Sequence, residues 1–473
     1  MSDTRYKDSE KLEKDGVDNL QPTTTMGEGT VRRASISDAV FGEITEDGPN
    51  YRAVGWKGTT VLMLKTQIGL GVLSIPQVFH SLGMIPGVIC LLIIAVMTSW
   101  SNYIIGVFKQ RHPDVYGIDD VGRKLFGRAG YEFFGITFAL YCIVVGGSGM
   151  LGISTALNAL SSHGACTAVF VAVAALIAFG LSSIQTLGRI SWLAWIGVIS
   201  ILSSILILTI SVGIQDKPAD APQTPGPYKS DYKLIGDSSP AEAFAAISSI
   251  VFAYAGTPAF FNIASEMREP RHYTKAVIYC QSIMTAVYIA IGVVVYYFCG
   301  SYVASPALGS AGVTMKKVCY GIALPGLIVS TTMFIHFAAK YFFMRILRGS
   351  THLARNTPTH WITWISCTAG NALISYIVAS AIPVFGGLVS LVGALLGTLM
   401  SLQPMGCMWL YDNWRKSKTG SWYFWAGWSI FIITAGWFLT IAGTYGSIVG
   451  IVDSYKVSGG SAAWSCADNS NSS

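Results

Sequence analysis

Apolar segments alternate with short polar segments along most of the chain, from about residue 58 to residue 451. Eleven of the apolar segments are close to the roughly 20 residues that an α-helix needs to cross a bilayer. Each must be helical, because lipid offers backbone N–H and C=O groups no other hydrogen-bond partner. The predicted spans 1 to 11 cover residues 58–80, 83–108, 131–159, 166–186, 190–214, 241–262, 275–300, 317–345, 361–381, 384–411 and 421–451. This pattern predicts an all-α polytopic membrane protein.

Polar segments lie at both ends of this region. Residues 1–54 are rich in Ser, Thr, Asp, Glu and Lys and contain no apolar stretch, so we expect a disordered tail without a cleavable signal peptide. Residues 55–451 are expected to form the transmembrane core. Residues 452–473 are expected to form a short tail on the extracytoplasmic side.

The positively charged residues are divided unevenly between the two sides that eleven spans define. Nineteen Lys and Arg residues flank the spans on the side of the N-terminal tail, and six lie on the other side. Because Lys and Arg are retained on the cytosolic side of a membrane, the N-terminus is predicted to be cytosolic and the C-terminus extracellular. We expect the protein in the cell membrane, with the vacuolar membrane as the alternative.

The composition agrees with a membrane protein and argues against a soluble domain, a nucleic-acid-binding protein or an enzyme. Hydrophobic residues make up 52% of the chain and charged residues 12%, whereas soluble domains carry about a quarter charged residues. The net charge of +6 does not indicate a nucleic-acid partner, because the basic residues are dispersed between the spans. The chain has no Gly-Lys-Ser/Thr phosphate loop, no metal-binding Cys/His spacing and no nucleophile elbow. We therefore expect no cofactor, no metal and no enzymatic activity.

Two predicted spans are interrupted near their middle by Gly and Pro. Span 1 contains Gly69, Gly71 and Pro76, and span 6 contains Gly256 and Pro258. In a helix interior Gly costs about 1 kcal/mol and Pro about 3 kcal/mol, and non-helical backbone at membrane depth is tolerated only where it lines a cavity or is buried in protein. If spans 1–5 and 6–10 are two inverted repeats, the interruptions correspond. Matching interruptions of this kind point to the substrate site of a transporter.

A broken helix suits a solute that carries both a carboxylate and an ammonium group. It offers free N–H groups and a positive dipole end to the carboxylate, and free carbonyls to the ammonium. No charged side chain is then needed for either group. The alternative is that these glycines only allow close helix packing, as is common in membranes, and this is what we expect of Gly393–Gly397 in span 10.

Several short motifs follow one another along the chain. They are Gly69-x-Gly71-x-Leu73-Ser74-Ile75-Pro76, Leu82-Gly83-Met84-Ile85-Pro86-Gly87, Asp120-Val121-Gly122, Phe126-Gly127-Arg128-x-Gly130, Phe252-Ala253-Tyr254-x-Gly256, Glu266-Met267-Arg268-Glu269-Pro270 and Trp464-Ser465-Cys466-Ala467-Asp468-Asn469. With these motifs the chain resembles the amino acid/auxin permease family, in particular its fungal neutral amino acid permease branch of the methyltryptophan-resistance type. The resemblance covers the region from Gly55 to about Tyr411.

The resemblance implies the inverted-repeat fold of the bacterial leucine transporter, with eleven spans and proton-coupled uptake of amino acids. It also implies that the backbone around the two interruptions holds the amino and carboxyl groups of the substrate. The expected substrate-binding residues are Thr66, Ile68, Gly69, Leu70, Gly71, Phe252, Ala253, Tyr254 and Gly256. The chain departs from several family members at Thr257, where they carry His.

Lys65 lies about nine residues into predicted span 1, roughly 13 Å deep at 1.5 Å per residue. An ionisable residue at that depth is a functional candidate. Lys65 is a candidate carrier of the coupling proton, or a fixed cation between spans 1 and 8 where related transporters bind sodium. In the second case its partners are Ser330, Thr331 and Thr332. The alternative is a lysine that snorkels to the cytosolic interface.

Two further ionisable residues have competing interpretations. His336 in span 8 is a candidate proton relay, since its ordinary pKa lies near neutrality, or a structural residue. Lys340 and Arg345 follow it and are expected to be ordinary cytosolic anchors. Ser239 and Glu242 match a helix capping box, which favours a structural role for Glu242 over a role as proton carrier.

Two of the nine cysteines, Cys166 and Cys466, both fall on the predicted outer side. A disulfide between them is expected in an oxidising exterior, with Cys299 and Cys319 as the alternative pair. Asn471 begins a glycosylation sequon on the same side.

The leading interpretation is a proton-coupled symporter of neutral aliphatic or aromatic amino acids that works by alternating access. Its partners are the small-molecule substrate, protons and the lipid bilayer, and no nucleic acid. One alternative is a transporter of an amino-acid-derived metabolite, including an exporter or a vacuolar protein. Another is a receptor that binds a solute without moving it.

Overall fold

The structure is a computed structural model that describes residues 36–38, 42–44, 52–69, 71–218, 221–222, 228–350, 352–353, 355–381, 385–458, 464 and 466–470. Within these residues, ten helical stretches are long and apolar enough to cross a membrane, and an eleventh apolar helix is shorter. The shorter one is Thr167–Ser182, in predicted span 4. The predicted fold class, an all-α membrane protein with breaks in spans 1 and 6, is confirmed.

The spans keep their numbers from the sequence. Their bounds are Trp56–Gln67 with Ile75–Leu82 (span 1), Met84–Arg111 (span 2), Ile118–Ser161 (span 3), Thr167–Ser182 (span 4), Leu187–Ile214 (span 5), Pro240–Ala253 with Thr257–Ser265 (span 6), Tyr273–Cys299 (span 7), Val313–Leu347 (span 8), Pro358–Ala381 (span 9), Phe385–Val392 continuing to Asn413 (span 10) and Gly420–Ser458 (span 11). Short 3₁₀ segments lie at Gly71–Ser74, Pro270–His272, Gly300–Tyr302 and Ala307–Ser310. Span 10 contains a π-helical segment at Gly393–Gly397, followed by helices Thr398–Ser401 and Gln403–Asn413.

Spans 3 and 11 are longer than the apolar pattern predicts. Span 3 begins at Ile118 instead of residue 131, because a polar helix joins it across a kink at Gly127. Gly127 has φ +67° and ψ −150°, a backbone conformation that favours glycine. Span 11 continues to Ser458 and so takes up the start of the segment expected to be a tail.

Part of the expected N-terminal tail has structure. Ile36–Asp38 pairs antiparallel with Gly42–Ile44. Val54 is buried and pairs with Met267 beyond span 6, where the N–H of Val54 donates to the carbonyl of Glu266. The folded region therefore includes Val54, while residues 1–35 lie outside the described residues.

The two broken helices lie inside the bundle, away from lipid. In the most apolar stretch of span 1, 94% of the residues are buried, and in that of span 6, 78% are. In spans 9 and 11 only 33% are buried, so these spans present apolar side chains to the bilayer. Span 8 packs along spans 3 and 5, and span 1 packs against spans 5 and 7. Enclosing the breaks in protein is what the unpaired backbone groups of a broken helix require.

The bundle has two chemically different ends. We call the end where spans 2, 6 and 8 finish and spans 3 and 9 begin the basic end, because Lys109, Arg111, Arg345 and Arg348 lie there. The opposite end carries the junction of spans 3 and 4 and the C-terminal residues 464–470, and we call it the tail end.

Candidate substrate site

The break in span 1 begins after Gln67. The N–H of Ile68 donates to Leu64 at 2.6 Å and the N–H of Gly69 donates to Gln67 at 3.0 Å, so the last turn tightens before the chain leaves the helix. A 3₁₀ segment resumes at Gly71. Leu70, one of the expected substrate-binding residues, lies outside the described residues.

The break in span 6 covers the three residues between Ala253 and Thr257. Tyr254 closes the first half with φ −91° and ψ 0°. Pro258 stands in the first turn of the second half, where its missing N–H removes no helix hydrogen bond. The N–H of Ala259 in the same turn donates to the carbonyl of Gly256 at 3.1 Å, so this helix end presents the N–H of Thr257 and the positive end of the helix dipole at the break.

The two breaks touch each other. A Cβ atom built on Gly71 would lie 2.5 Å from Cα of Ala253, so the two backbones approach more closely than any larger residue allows. A Cβ atom on Gly256 would lie 2.6 Å from the hydroxyl of Thr66. The side-chain amide of Gln67 reaches the carbonyl of Tyr254 at 3.5 Å. Thr66, Gln67 and Gly71 of span 1 therefore contact residues at the break in span 6.

Two tyrosines from other spans bind the backbone of the breaks. The hydroxyl of Tyr288 in span 7 lies 3.1 Å from the carbonyl oxygen of Gln67 and 2.8 Å from that of Ala253. The single proton of this hydroxyl is thus shared between two carbonyls, one from each break. Tyr141 in span 3 donates its hydroxyl to the carbonyl of Ala255. The sequence did not predict either residue, because a tyrosine in an apolar helix carries no signal of which backbone it will meet.

A small cavity lies between the breaks and spans 3 and 8. Its volume is about 20 Å³, which holds little more than one water molecule. It is lined by Thr66, Gln67, Gly69, Gly71, Tyr141, Val145, Phe252, Ser330 and Phe334. No ionisable carboxylate, lysine, arginine or histidine is among these residues. The site is therefore contracted in this conformation and must widen before an amino acid fits.

Lys65 is fully buried one turn before the break. Its ammonium group donates to the carbonyl of Ile68 at 2.8 Å, inside the interrupted segment. A Cβ atom on Gly197 in span 5 would lie 2.8 Å from Cε of Lys65, so the side chain runs against span 5. A snorkelling lysine would keep its ammonium group at the membrane surface, and the structure contradicts that alternative.

The three hydroxyl residues of span 8 do not act as a group. Ser330 donates to the backbone carbonyl of Lys65 at 3.4 Å and lies against Gly69. Thr331 and Thr332 donate instead to carbonyls of their own helix, at 2.9 Å and 2.8 Å. Among the described contacts, none of the three hydroxyls binds the ammonium group of Lys65. The partnership of these hydroxyls with a fixed Lys65 cation, one of the two predicted alternatives, is therefore not formed in this conformation.

His336 lies outside the central cavity, further along span 8 toward the basic end. It is fully buried, with Nδ1 at 3.4 Å from the carbonyl of Ser182, and its ring packs edge-on against Trp364 at 5.2 Å. This position separates it from Lys65, which bonds within the break. The geometry favours the structural alternative for His336.

Comparison with known proteins identifies the family. The family model described as "Transmembrane amino acid transporter protein" matches residues 52–449 of the chain. The chain belongs to this family. A "Transmembrane transporter" of Gibberella moniliformis is 34% identical over 92% of this chain and 94% of its own length. The "N amino acid transport system protein" of Neurospora crassa is 33% identical over 90% of this chain and 91% of its own length.

A solved structure supports the same fold. A Na⁺-coupled sialic acid symporter, in a substrate-bound outward-open state, has a TM-score of 0.54 and 11% identity, and the match covers 85% of this chain and 92% of that one. At this identity the likeness concerns the fold alone. The protein is thus a multi-pass membrane transporter of the amino acid transporter family.

At the basic end of the transporter, a buried ion pair joins spans 6 and 8. Glu266 accepts from the ammonium group of Lys340, and both side chains are 1% exposed. The other carboxylate oxygen of Glu266 accepts from the backbone N–H of Leu187 at 3.2 Å, at the start of span 5. The expectation that Lys340 is an ordinary surface anchor is wrong. Its carboxylate partner lies 74 residues away, a separation that local sequence patterns do not reveal.

At the tail end, a wide cavity leads toward the breaks. This cavity, which we call the vestibule, has a volume of about 550 Å³. Its lining includes Ser74, Gln77, Ser249, Tyr320, Phe385 and Asn469. Ser74 donates to the carbonyl of Gly71 at 2.8 Å, and Ser249 stands one helical turn before Ala253. The transporter is therefore open at the tail end almost to the breaks.

Other predicted features of the transporter lie around the vestibule. Ser239 and Glu242 form the expected capping box, with hydrogen bonds of 2.9 Å and 3.3 Å. Cys166 and Cys466 form a disulfide, whereas Cys299 and Cys319 carry free thiols. The sequon residue Asn471 lies outside the described residues.

Proposed function

We propose that this transporter is a proton-coupled symporter of neutral, aliphatic or aromatic amino acids that works by alternating access. The observation that carries the proposal is the contact between the two breaks, where Gly71 meets Ala253 and Tyr288 binds carbonyls of both. A substrate bound at this contact meets the backbone of two helices at once. Movement of either helix then changes its binding, which is what alternating access requires.

The polar groups at the breaks suit the common part of all amino acids. The helix that begins at Thr257 presents the N–H of that residue and a positive dipole end to a carboxylate. In the interrupted segment after Gln67, the carbonyl of Ile68 accepts from Lys65 in this conformation and becomes available to the ammonium group of a substrate when Lys65 releases it. Because no carboxylate, lysine, arginine or histidine side chain of the described residues lines the cavity between the breaks, the side chain of the substrate should be uncharged. The rings of Tyr141, Phe252 and Phe334 favour an apolar side chain.

Lys65 is the proposed proton carrier. It is fully buried, and none of the described carboxylates forms an ion pair with it. An ammonium group buried without a counter-ion carries a large desolvation cost, and the deep interior of a membrane protein makes such a residue a functional candidate. Its hydrogen bond to Ile68 places the exchangeable proton on the same backbone that binds the substrate. Proton binding and substrate binding are therefore coupled through one segment.

The basic end is proposed to face the cytosol. The excess of Lys and Arg on that side supports this orientation. The Cys166–Cys466 disulfide at the other end supports it independently, because disulfides persist in oxidising compartments. With this orientation the structure is open to the exterior and closed to the cytosol, as an importer at the cell surface would be before it loads.

Flux in proteoliposomes tests the proposal. We expect an imposed inward proton gradient to drive accumulation of labelled Leu or Phe above the equilibrium level, and Lys65→Met to abolish this accumulation. Lys57→Met is the matched control, since Lys57 lies in the same span but is exposed. Normal concentrative uptake by Lys65→Met would contradict the role of Lys65.

The same assay separates the other functions. Binding of an amino acid without any flux in the unmodified protein would indicate a receptor. Flux of an amino-acid-derived metabolite, with none for the free amino acids, would indicate a different cargo on the same fold.

A further inference from the structure

The C-terminal residues do not hang free outside the transporter. Cys466 is joined to Cys166, at the junction of spans 3 and 4, by a disulfide. The N–H of Trp464 donates to the carbonyl of Ser380 at the end of span 9, at 3.1 Å. The chain around residue 466 is thus attached to two different junctions of the bundle.

A buried amide continues this attachment beyond the disulfide. Asn158, which is fully buried in the last turn of span 3, donates from Nδ2 to the side-chain carbonyl of Asn469 at 2.8 Å. Asn469 donates in turn to the hydroxyl of Ser154 at 3.0 Å. Thr167 donates to the carbonyl of Ala467 at 2.6 Å. Both polar atoms of the Asn469 side chain, which is half-buried, thus have hydrogen-bond partners on span 3.

These contacts bring the C-terminal residues into the wall of the vestibule. Asn469 and Ser470 line the same cavity as Ser74 and Ser249, which stand one turn from the breaks. Ser470 is 7% exposed, although the residues around it are mostly polar. A solute that reaches the breaks from this side passes the C-terminal residues first.

We propose that the disulfide-anchored residues 464 and 466–470 are a fixed wall of the solute entrance and limit the size of the solutes that reach the central site. The proposal rests on the proposed function for the direction of entry. The anchoring explains how a short polar segment stays in place: the disulfide holds one point and the Asn158–Asn469–Ser154 contacts hold the next. Release of either anchor should widen the entrance.

Thiol labelling of the purified full-length protein tests this without transport. In a Ser249→Cys chain we compare the labelling rates of N-ethylmaleimide and of a maleimide that carries fluorescein, each normalised to the denatured protein. The chain without Ser249→Cys gives the background from the native thiols. With the anchors intact, the small reagent should label Cys at this position and the bulky one should label it at least tenfold more slowly.

Three changes release the anchors in different ways. They are a brief reduction that is removed before labelling, the double change Cys166→Ser with Cys466→Ser, and Asn469→Ala, which keeps the disulfide. Each should raise the rate of the bulky reagent at least fivefold and leave the rate of the small reagent within twofold. Lys456→Gln is the control, because Lys456 is exposed and does not line the vestibule.

The result that would overturn the proposal is an equal rate for the bulky reagent with and without the anchors. Failure of the small reagent to label the intact chain would also overturn it, because the vestibule would then not lead to Ser249. The reduction arm needs no variant other than Ser249→Cys to fold. Because labelling needs no flux, a negative result here contradicts the entrance wall alone, and an absence of flux contradicts the proposed function alone.

Discussion

The two ends of the bundle differ in the side chains that line them, and the basic end is closed whereas the tail end is open. At the basic end, Glu266 and Lys340 form a buried ion pair that also binds the start of span 5. At the tail end, a vestibule of about 550 Å³ is lined by hydroxyl, amide and apolar groups together with Glu242 and Lys316, which form no ion pair with each other among the described contacts. To form a buried ion pair, both charged groups must lose their bound water and be aligned with each other. Hydroxyl and amide groups instead exchange their hydrogen bonds with water at little cost. The comparison teaches that closure of the basic end depends on a buried charge pair, whereas the tail end is open.

Removal of one partner of the buried pair should have the largest effect. Glu266→Gln leaves the charge of Lys340 without its carboxylate, which costs about 3–5 kcal/mol for a buried pair. We expect loss of concentrative uptake and a lower thermal unfolding temperature. The double variant Glu266→Leu with Lys340→Met removes both charges and should recover most of the lost thermal stability. Glu266→Gln with unchanged stability and uptake would show that the pair does not hold this end closed.

The contact between the breaks should be nearly as sensitive. Gly71→Ala places a Cβ atom 2.5 Å from Cα of Ala253, and two backbones cannot both remain in place. We expect uptake to fall by at least 100-fold at equal surface expression. Gly427→Ala in span 11 is the matched control, because nothing lies within 4 Å of its added Cβ. Retention of more than half the uptake in Gly71→Ala would mean that the breaks separate freely.

Sequence reasoning located the breaks but not what surrounds them. Gly69, Gly71 and Gly256 were informative because each violates the local preference of a helix, and such a violation is visible without the fold. Tyr288 and Lys340 were not informative in this way. Their roles depend on partners in other spans, and a tyrosine or lysine in the same sequence could equally have faced lipid or solvent.

Tyr288→Phe should have an intermediate effect. It removes the hydroxyl that lies within 3.1 Å of carbonyls of both breaks, and a lost buried hydrogen bond costs about 1–3 kcal/mol. We expect the apparent affinity for the amino acid to fall between about 5-fold and 100-fold, measured as KM under a fixed proton gradient. Tyr297→Phe is the control in the same span, since Tyr297 is 46% exposed. Equal KM values for the two variants would show that Tyr288 does not contribute to substrate binding.

The ion pair between Arg111 and Asp412 should contribute least. It also lies at the basic end, with an N–O distance of 3.1 Å, but the Arg111 side chain is 42% exposed. Exposed pairs contribute about 0–1 kcal/mol, so Arg111→Gln should change uptake by less than threefold. A loss of uptake as large as that of Glu266→Gln would mean that an exposed ion pair at this end contributes as much to transport as the buried one.

The central claim is that the two broken backbones recognise the amino and carboxyl groups of the substrate. The direct measurement is equilibrium binding to the purified protein of a free amino acid, its methyl ester and its N-acetyl derivative, which share one side chain. We predict that the free amino acid binds at least 100-fold more tightly than either derivative, because each lacks one of the two charged groups. Similar affinities for all three would contradict the claim, since the site would then recognise the side chain alone.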